Sequence, residues 1–229
     1  VGYYCNPIQY AEHRKTLENV ICTAGKFGAT HVSTFAGAWE GKPVESAYEE
    51  FGKVFRELAD LAEEKGVKLG IENCLMDGTW EHATCNIGFN PKAWEVMFEE
   101  VKNDNFGLEW EPTHQMVQLI DPVTELRKWC KKIVHIHGKD ATIDWDAVRH
   151  SGISGAVPFV WHRMPGFGDT NWRDIISILR SNGYEDDICI EGYHDPVYSG
   201  ELEMTGQLHA LNYLKWCRGG DFTQTPWEK

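Results

Sequence analysis

Gly107-Leu108-Glu109-Trp110-Glu111-Pro112-Thr113-His114 reads as a buried β-strand that stops on a cluster of polar groups. Side chains alternate across a strand, so Leu108 and Trp110 share one face and Glu109 and Glu111 the other. Pro112 cannot continue the ladder and marks the end. Three further apolar runs end the same way. They close on Glu72-Asn73, on His135-Ile136-His137-Gly138-Lys139-Asp140, and on Glu191-Gly192-Tyr193-His194-Asp195. By the same parity His135 and His137 share a face, and Val134 and Ile136 are expected to face a helix layer. Unpartnered buried carboxylates are costly, so four strand ends carrying acids and imidazoles point to a cation held among them. Three carboxylates and one imidazole form a mixed oxygen and nitrogen set. Such a set suits Mn²⁺, with Mg²⁺, Co²⁺ or Zn²⁺ as alternatives, and it lacks the thiolates of a structural zinc site.

Outward from this stretch, strand and helix signals alternate, the pattern of a parallel α/β fold. Strands are expected at 1–5, 30–35, 67–74, 106–111, 133–137, 157–161 and 188–191. Helices are expected at 10–27, 47–65, 91–101, 121–130, 171–181 and 203–217. The second of these carries Phe51, Val54, Phe55, Leu58, Leu61 and Ala62 at three- and four-residue steps, which makes one apolar stripe. Asn90-Pro91 and Asp121-Pro122 are start signals for two others. Asp169 or Thr170 is expected to cap the helix near Asn171. This is the (β/α)8 TIM barrel order with one βα unit fewer. Because a strand already begins at Val1, the first unit is the one expected to be lacking. No linker composition interrupts the chain, so 1–229 is read as one domain, with 218–229 an irregular tail or a subunit contact. Functional groups of such a barrel collect at the C-terminal strand ends.

Charge narrows the partners. The 229 residues hold 22 Lys plus Arg against 35 Asp plus Glu, a formal charge of -13. A surface this acidic repels phosphates, so no nucleic-acid partner is expected. No apolar run reaches the roughly 20 residues that cross a bilayer, so no membrane partner is expected either. The seven cysteines include no C-x-x-C pair and read as thiols of a reducing cytoplasm. Gly166-Phe167-Gly168-Asp169 is a tight turn; with no Gly-rich dinucleotide fingerprint after a strand, no nicotinamide cofactor is expected.

The segments Gly70-Ile71-Glu72-Asn73, Gly107 to His114, His135 to Asp140, Arg163-Met164-Pro165-Gly166-Phe167-Gly168-Asp169 and Ile190-Glu191 occur in this order. Together with Tyr4-Cys5-Asn6-Pro7 and Phe35-Ala36-Gly37-Ala38-Trp39, they resemble the sugar phosphate isomerase/epimerase family of xylose-isomerase-like barrels. The resemblance spans nearly the whole chain. It implies one divalent metal ion on Glu72, Glu111, His137 and Glu191, with Glu72 and Glu191 also serving as the acid–base pair. It implies substrate contacts from His114 and Arg163, and a homo-oligomer. Lys139 holds a substrate hydroxyl or forms a surface pair with Asp140, and Trp39 is a candidate to stack on a sugar face. Two positions depart from the family pattern. Glu111 replaces an Asp, and Glu109 stands where a small amide is usual. Glu109 either remodels the site or pairs with a base such as Lys68 or His135.

The chemistry implied is proton transfer on a ketose or related sugar through an enediolate. Returning the proton gives isomerisation or epimerisation. Losing a β-leaving group instead gives a lyase or dehydratase acting on keto-sugars, inososes or C-glycosides.

Overall fold

The computed structural model describes residues 1–220; the expected tail beyond them lies outside the described residues. The described residues form eight α-helices, six of them where the sequence reading puts helices. They are α1 (Ala11–Ala24), α2 (Tyr48–Glu64), α3 (Pro91–Glu100), α4 (Pro112–Met116), α5 (Pro122–Trp129), α6 (Trp145–Ser151), α7 (Trp172–Ser181) and α8 (Glu203–Arg218). Asn90 caps α3 by accepting from the Lys92 and Ala93 amides, with Pro91 in the first turn, where its missing N–H costs nothing. Asp121 caps α5 through the Thr124 amide. On α2, Phe51, Val54, Phe55, Leu58 and Ala62 are all buried. The cap of α7 is Asn171, which accepts from the Asp174 amide, rather than Asp169 or Thr170. Arg218, assigned above to the tail, is the last residue of α8. The short helices α4 and α6 have no counterpart in the sequence reading.

The strands are β1 (His31–Thr34), β2 (Lys68–Glu72), β3 (Phe106–Trp110), β4 (Ile133–Gly138), β5 (Asp140–Ile143), β6 (Val160–Arg163) and β7 (Ile188–Ile190). One sheet runs β1-β2-β3-β4-β7, and β1 to β4 pair in parallel. Two expectations are corrected. Residues 1–5 make no strand, only an isolated parallel bridge between Gly2 and Ser33. The run 157–161 contributes to β6, which pairs antiparallel with the unexpected β5 as a separate two-stranded sheet.

The chain divides into two compact units. The first comprises Val1–His137 with Asp186–Cys189, and the second comprises Gly138–Glu185 with the chain from Ile190 onward. In the first unit the aromatic rings of Phe51, Phe55 and Phe106 pack against one another, and fully buried Leu69, Ile71, Leu108 and Trp110 line β2 and β3. In the second unit the buried side chains of Trp172, Ile175, Ile176 and Leu179 lie on α7. No helix among the described residues is long and apolar enough to cross a membrane.

One irregularity sets the positions of the polar groups. Leu108 is opposite Ile133, yet Glu109 is opposite His135, so Val134 is an extra residue on β4. A bulge breaks strand alternation. Val134 consequently does not face the helix layer as its parity implies. Its methyl groups fill the space above Gly70 and Gly107, where an added Cβ would lie 3.0 Å and 2.6 Å from them. Those two glycines are register partners across β2 and β3.

Candidate metal centre

In the first unit, parallel pairing puts the ends of β2, β3 and β4 side by side. Glu72 is the last residue of β2, Glu111 follows β3, and His137 lies near the end of β4. His137 Nδ1 stands 3.4 Å from Glu72 Oε1 and 3.6 Å from Glu111 Oε2. His114, carried on α4, brings Nε2 to 3.3 Å from Glu111 Oε1 and 4.0 Å from Glu72 Oε1. Glu111 is wholly buried and Glu72 and His114 nearly so.

Two buried asparagines hold this arrangement. Asn73 reaches across to the backbone of Glu111, donating to its carbonyl at 2.9 Å and accepting from its amide at 2.7 Å. Asn86 accepts from the Ala36 and Gly88 amides and donates to the carbonyls of Glu72 and Cys74, all between 2.8 and 3.0 Å. It thus fastens the segment after β1 to the end of β2 while satisfying its own buried amide. Sequence reasoning noted Asn73 only as a neighbour of Glu72 and missed Asn86. A loop asparagine carries no sequence mark of its partners.

Glu109, offered above as remodelling the site or pairing with a base, lies against both His137 and His135. Its Oε1 lies 3.3 Å from His137 Nε2 and 3.8 Å from His135 Nε2, and its Oε2 accepts from the Tyr4 hydroxyl at 2.9 Å. Lys68, one of the two bases offered for it, is instead paired with Asp186 at 2.7 Å. Burial pushes the Glu109 carboxyl up, and the Glu72 charge adds to that, against the opposing effect of His137.

The second unit holds the remaining candidates. Lys139 is buried and donates to Glu191 Oε1 at 3.0 Å. The surface pair with Asp140 is therefore not formed. Asp140 is itself buried and accepts from the Ala141, Gly166 and Thr170 amides, although burial still raises its pKa. Arg163 Nε lies 3.3 Å from Asp195 Oδ2, and its guanidinium sits 5.9 Å from the Phe167 ring centre. Burial raises the Asp195 carboxyl, but the Tyr198, Met164 and Val197 amides and the Arg163 charge outweigh it and hold the group low. Trp39 belongs to the first unit, half-buried in the loop after β1.

The donor set fits a divalent ion. Glu72, Glu111 and His137 each offer a ligand atom, and these atoms lie within 4.8 Å of one another. Two carboxylates and an imidazole nitrogen, buried together, are hard and borderline donors of the kind that Mn²⁺, Zn²⁺ or Co²⁺ accept. Cations also relieve the cost of two neighbouring buried anions.

His135 provides a pH signature for this unit. Its ring stacks on His31 at 4.0 Å between centres, and burial, then the charges of His31 and His137, push its pKa from 6.5 down to about 3. In the unfolded chain the ring takes a proton near its ordinary pKa, whereas in the folded chain it stays neutral. The unfolded state therefore binds more protons throughout that window, and stability falls as pH falls through it. In EDTA, the urea midpoint of the chain should drop between pH 7.5 and pH 5. His135→Gln should lose less over the same interval, and an equal loss in both would refute this role.

Known proteins resemble the chain at both levels. It is 26% identical over 182 residues to the inosose dehydratase of Clostridium tetani, covering 77% of this chain and 57% of that protein. The chain thus spans little more than half the length of the curated relatives it matches. A crystal structure of the IOLI protein with a bound zinc atom superposes with a TM-score of 0.70 at 20% identity, over 98% of this chain and 78% of that one. D-psicose 3-epimerase, solved in the presence of D-fructose, gives a TM-score of 0.67 at 16% identity, over 92% and 72%. The family model described as xylose isomerase-like TIM barrel matches residues 5–215, and the chain belongs to that family.

Proposed function

We propose that this chain carries the metal centre and base of an enzyme that removes a proton beside the carbonyl of a small keto-sugar or keto-cyclitol. The observation that carries the reading is the convergence of buried Glu72 and Glu111 with half-buried His137 at adjoining strand ends. Glu191 is proposed as the fourth ligand from the motif match, and the family match across both units supports reading them as one barrel domain. When bound, a divalent ion would polarise the carbonyl and acidify the neighbouring C–H.

The chain's own residues supply the rest. Glu72 takes the proton, and its burial shields it from competing water. Asn73 fixes the backbone of Glu111 by two hydrogen bonds, which keeps that ligand from drifting. His114, within 3.3 Å of Glu111, binds substrate oxygen from the same side. Lys139 holds Glu191 by an ion pair and sets where the second carboxylate can meet substrate. Arg163, held against Asp195, and Trp39 are proposed further contacts to the substrate.

Two fates of the abstracted proton separate the readings. Return to carbon, with Glu72 and Glu191 as the acid–base pair, makes an isomerase or epimerase of ketoses, as the resemblance implies. Loss of a β-hydroxyl makes a dehydratase, which the likeness to inosose dehydratase supports. Incubating the Mn²⁺-loaded chain in D₂O with a ketose and, separately, an inosose should give deuterium exchange with one of them. A new epimer or aldose marks the first fate and an absorbing enone the second. Finding neither exchange nor an enone with either substrate, under any of Mn²⁺, Mg²⁺, Co²⁺ or Zn²⁺, would sink the reading.

A further inference from the structure

Glu109 lies outside the proposed ligand set, yet it touches that set directly. The imidazole of His137 stands between two groups of carboxylates, one at each nitrogen. Nδ1 faces Glu72 and Glu111 at 3.4 and 3.6 Å, while Nε2 faces Glu109 Oε1 at 3.3 Å. A neutral imidazole has one N–H and one lone pair, so the group that accepts the proton decides which nitrogen is left to ligate. Glu109 is a pure acceptor when ionised, and its second oxygen is anchored by the Tyr4 hydroxyl at 2.9 Å. His135 is no rival for Oε1, since 3.8 Å exceeds hydrogen-bond length.

We propose that Glu109 is a positioning residue that accepts Nε2–H of His137 and so holds Nδ1 toward Glu72 and Glu111 as the ligating atom. Tyr4 fixes the carboxylate and extends the chain of contacts to Tyr4–Glu109–His137. This rests on the metal-centre reading above. Metal-ligating histidines generally need such a partner on their other nitrogen, and its loss costs about 10–100-fold in metal affinity. Glu109, His135 and His137 also offer ligand atoms within 4.8 Å of one another. A second cation there, together with the first, would require His137 to give up both ring protons and bridge as an imidazolate. The single-proton arrangement asks less of the ring.

Cobalt(II) is the probe, with affinity read by chelator competition, stoichiometry by elemental analysis, and the His137 tautomer by long-range ¹H–¹⁵N spectra of the zinc-loaded chain. Wild type should bind one Co²⁺ per chain with the proton on Nε2. Glu109→Leu should bind it about 10–100-fold more weakly and lose the protected Nε2–H signal. Glu109→Gln keeps an acceptor oxygen and should recover most of the affinity. Should Glu109→Leu not fold, Tyr4→Phe decides, with an expected several-fold loss. Unchanged affinity and tautomer in these variants would overturn the role of Glu109 while leaving the metal centre standing. Two Co²⁺ per wild-type chain would overturn it in favour of the bridged pair. A wild type that binds no Co²⁺ would instead remove the metal centre itself, and the inference with it.

Discussion

Glu72→Gln should lower substrate deuterium exchange by at least about 1,000-fold, within the span that a positioned acid–base group supplies, while leaving the far-ultraviolet circular dichroism of the chain unchanged. The substitution keeps the volume of a side chain that is only 7% exposed, so packing is not disturbed. What it removes is both a basic oxygen and half of the negative charge shared with Glu111, whose donor atoms lie within 4.8 Å. Two effects on stability follow, and they oppose each other. In the absence of metal, relieving two adjoining buried anions should leave the melting temperature no lower than wild type. Addition of Mn²⁺ at 100 times its dissociation constant should stabilise wild type by about 2.7 kcal/mol. That gain should largely vanish in the variant. Exchange that persists near the wild-type rate would show that the base lies elsewhere. A retained Mn²⁺ stabilisation with lost exchange would keep Glu72 as base and remove it as ligand.

Much of this centre is legible in the sequence because strand parity is a strong rule. An acid two residues from another acid, or a histidine two from another, must share a face, and parallel strands of similar length bring such ends together. Glu72, Glu111 and His137 meet for that reason, whereas His114 is carried in on α4. The rule fails where the backbone departs from it. Val134 is assigned outward by parity, but the bulge between Glu109 and His135 turns it over Gly70 and Gly107. Short apolar runs also look alike in parallel and antiparallel pairing. The run 157–161 therefore counts as a barrel strand in the sequence, whereas its residues 160–161 belong to an antiparallel pair with β5. Residues 1–5 have the composition of a strand but only one bridge to Ser33. Side-chain amides are the least legible of all. Asn86 makes four hydrogen bonds that join two strand ends, and nothing in its neighbourhood of the sequence distinguishes it from a solvent-facing loop residue.

Gly107→Ala is the substitution in which fold and centre should fail together. A Cβ at Gly107 would lie 2.3 Å from the Lys132 carbonyl oxygen and 2.6 Å from Val134 Cγ1. Real Cβ atoms do not approach backbone oxygen so closely, and the carbonyl cannot swing aside as a flexible side chain would. Relief requires β3 and β4 to separate, or Val134 to leave the space above the glycine. Overpacking of this kind commonly costs 1–3 kcal/mol where only side chains must move, so about 3 kcal/mol or more is expected where backbone must. For a chain of this length that is a fall of roughly 6–12 °C in melting temperature. Gly25→Ala is the matched control, because an added Cβ there meets nothing within 4 Å and its φ of -62° suits alanine. It should be neutral or slightly stabilising. The bulge that Val134 occupies is also what puts His135 opposite Glu109 and sets His137 beyond it. Any Gly107→Ala molecules that remain folded at low temperature should therefore bind Co²⁺ more weakly than wild type. A variant that melts within 2 °C of wild type would mean that the two strands accommodate the methyl group after all.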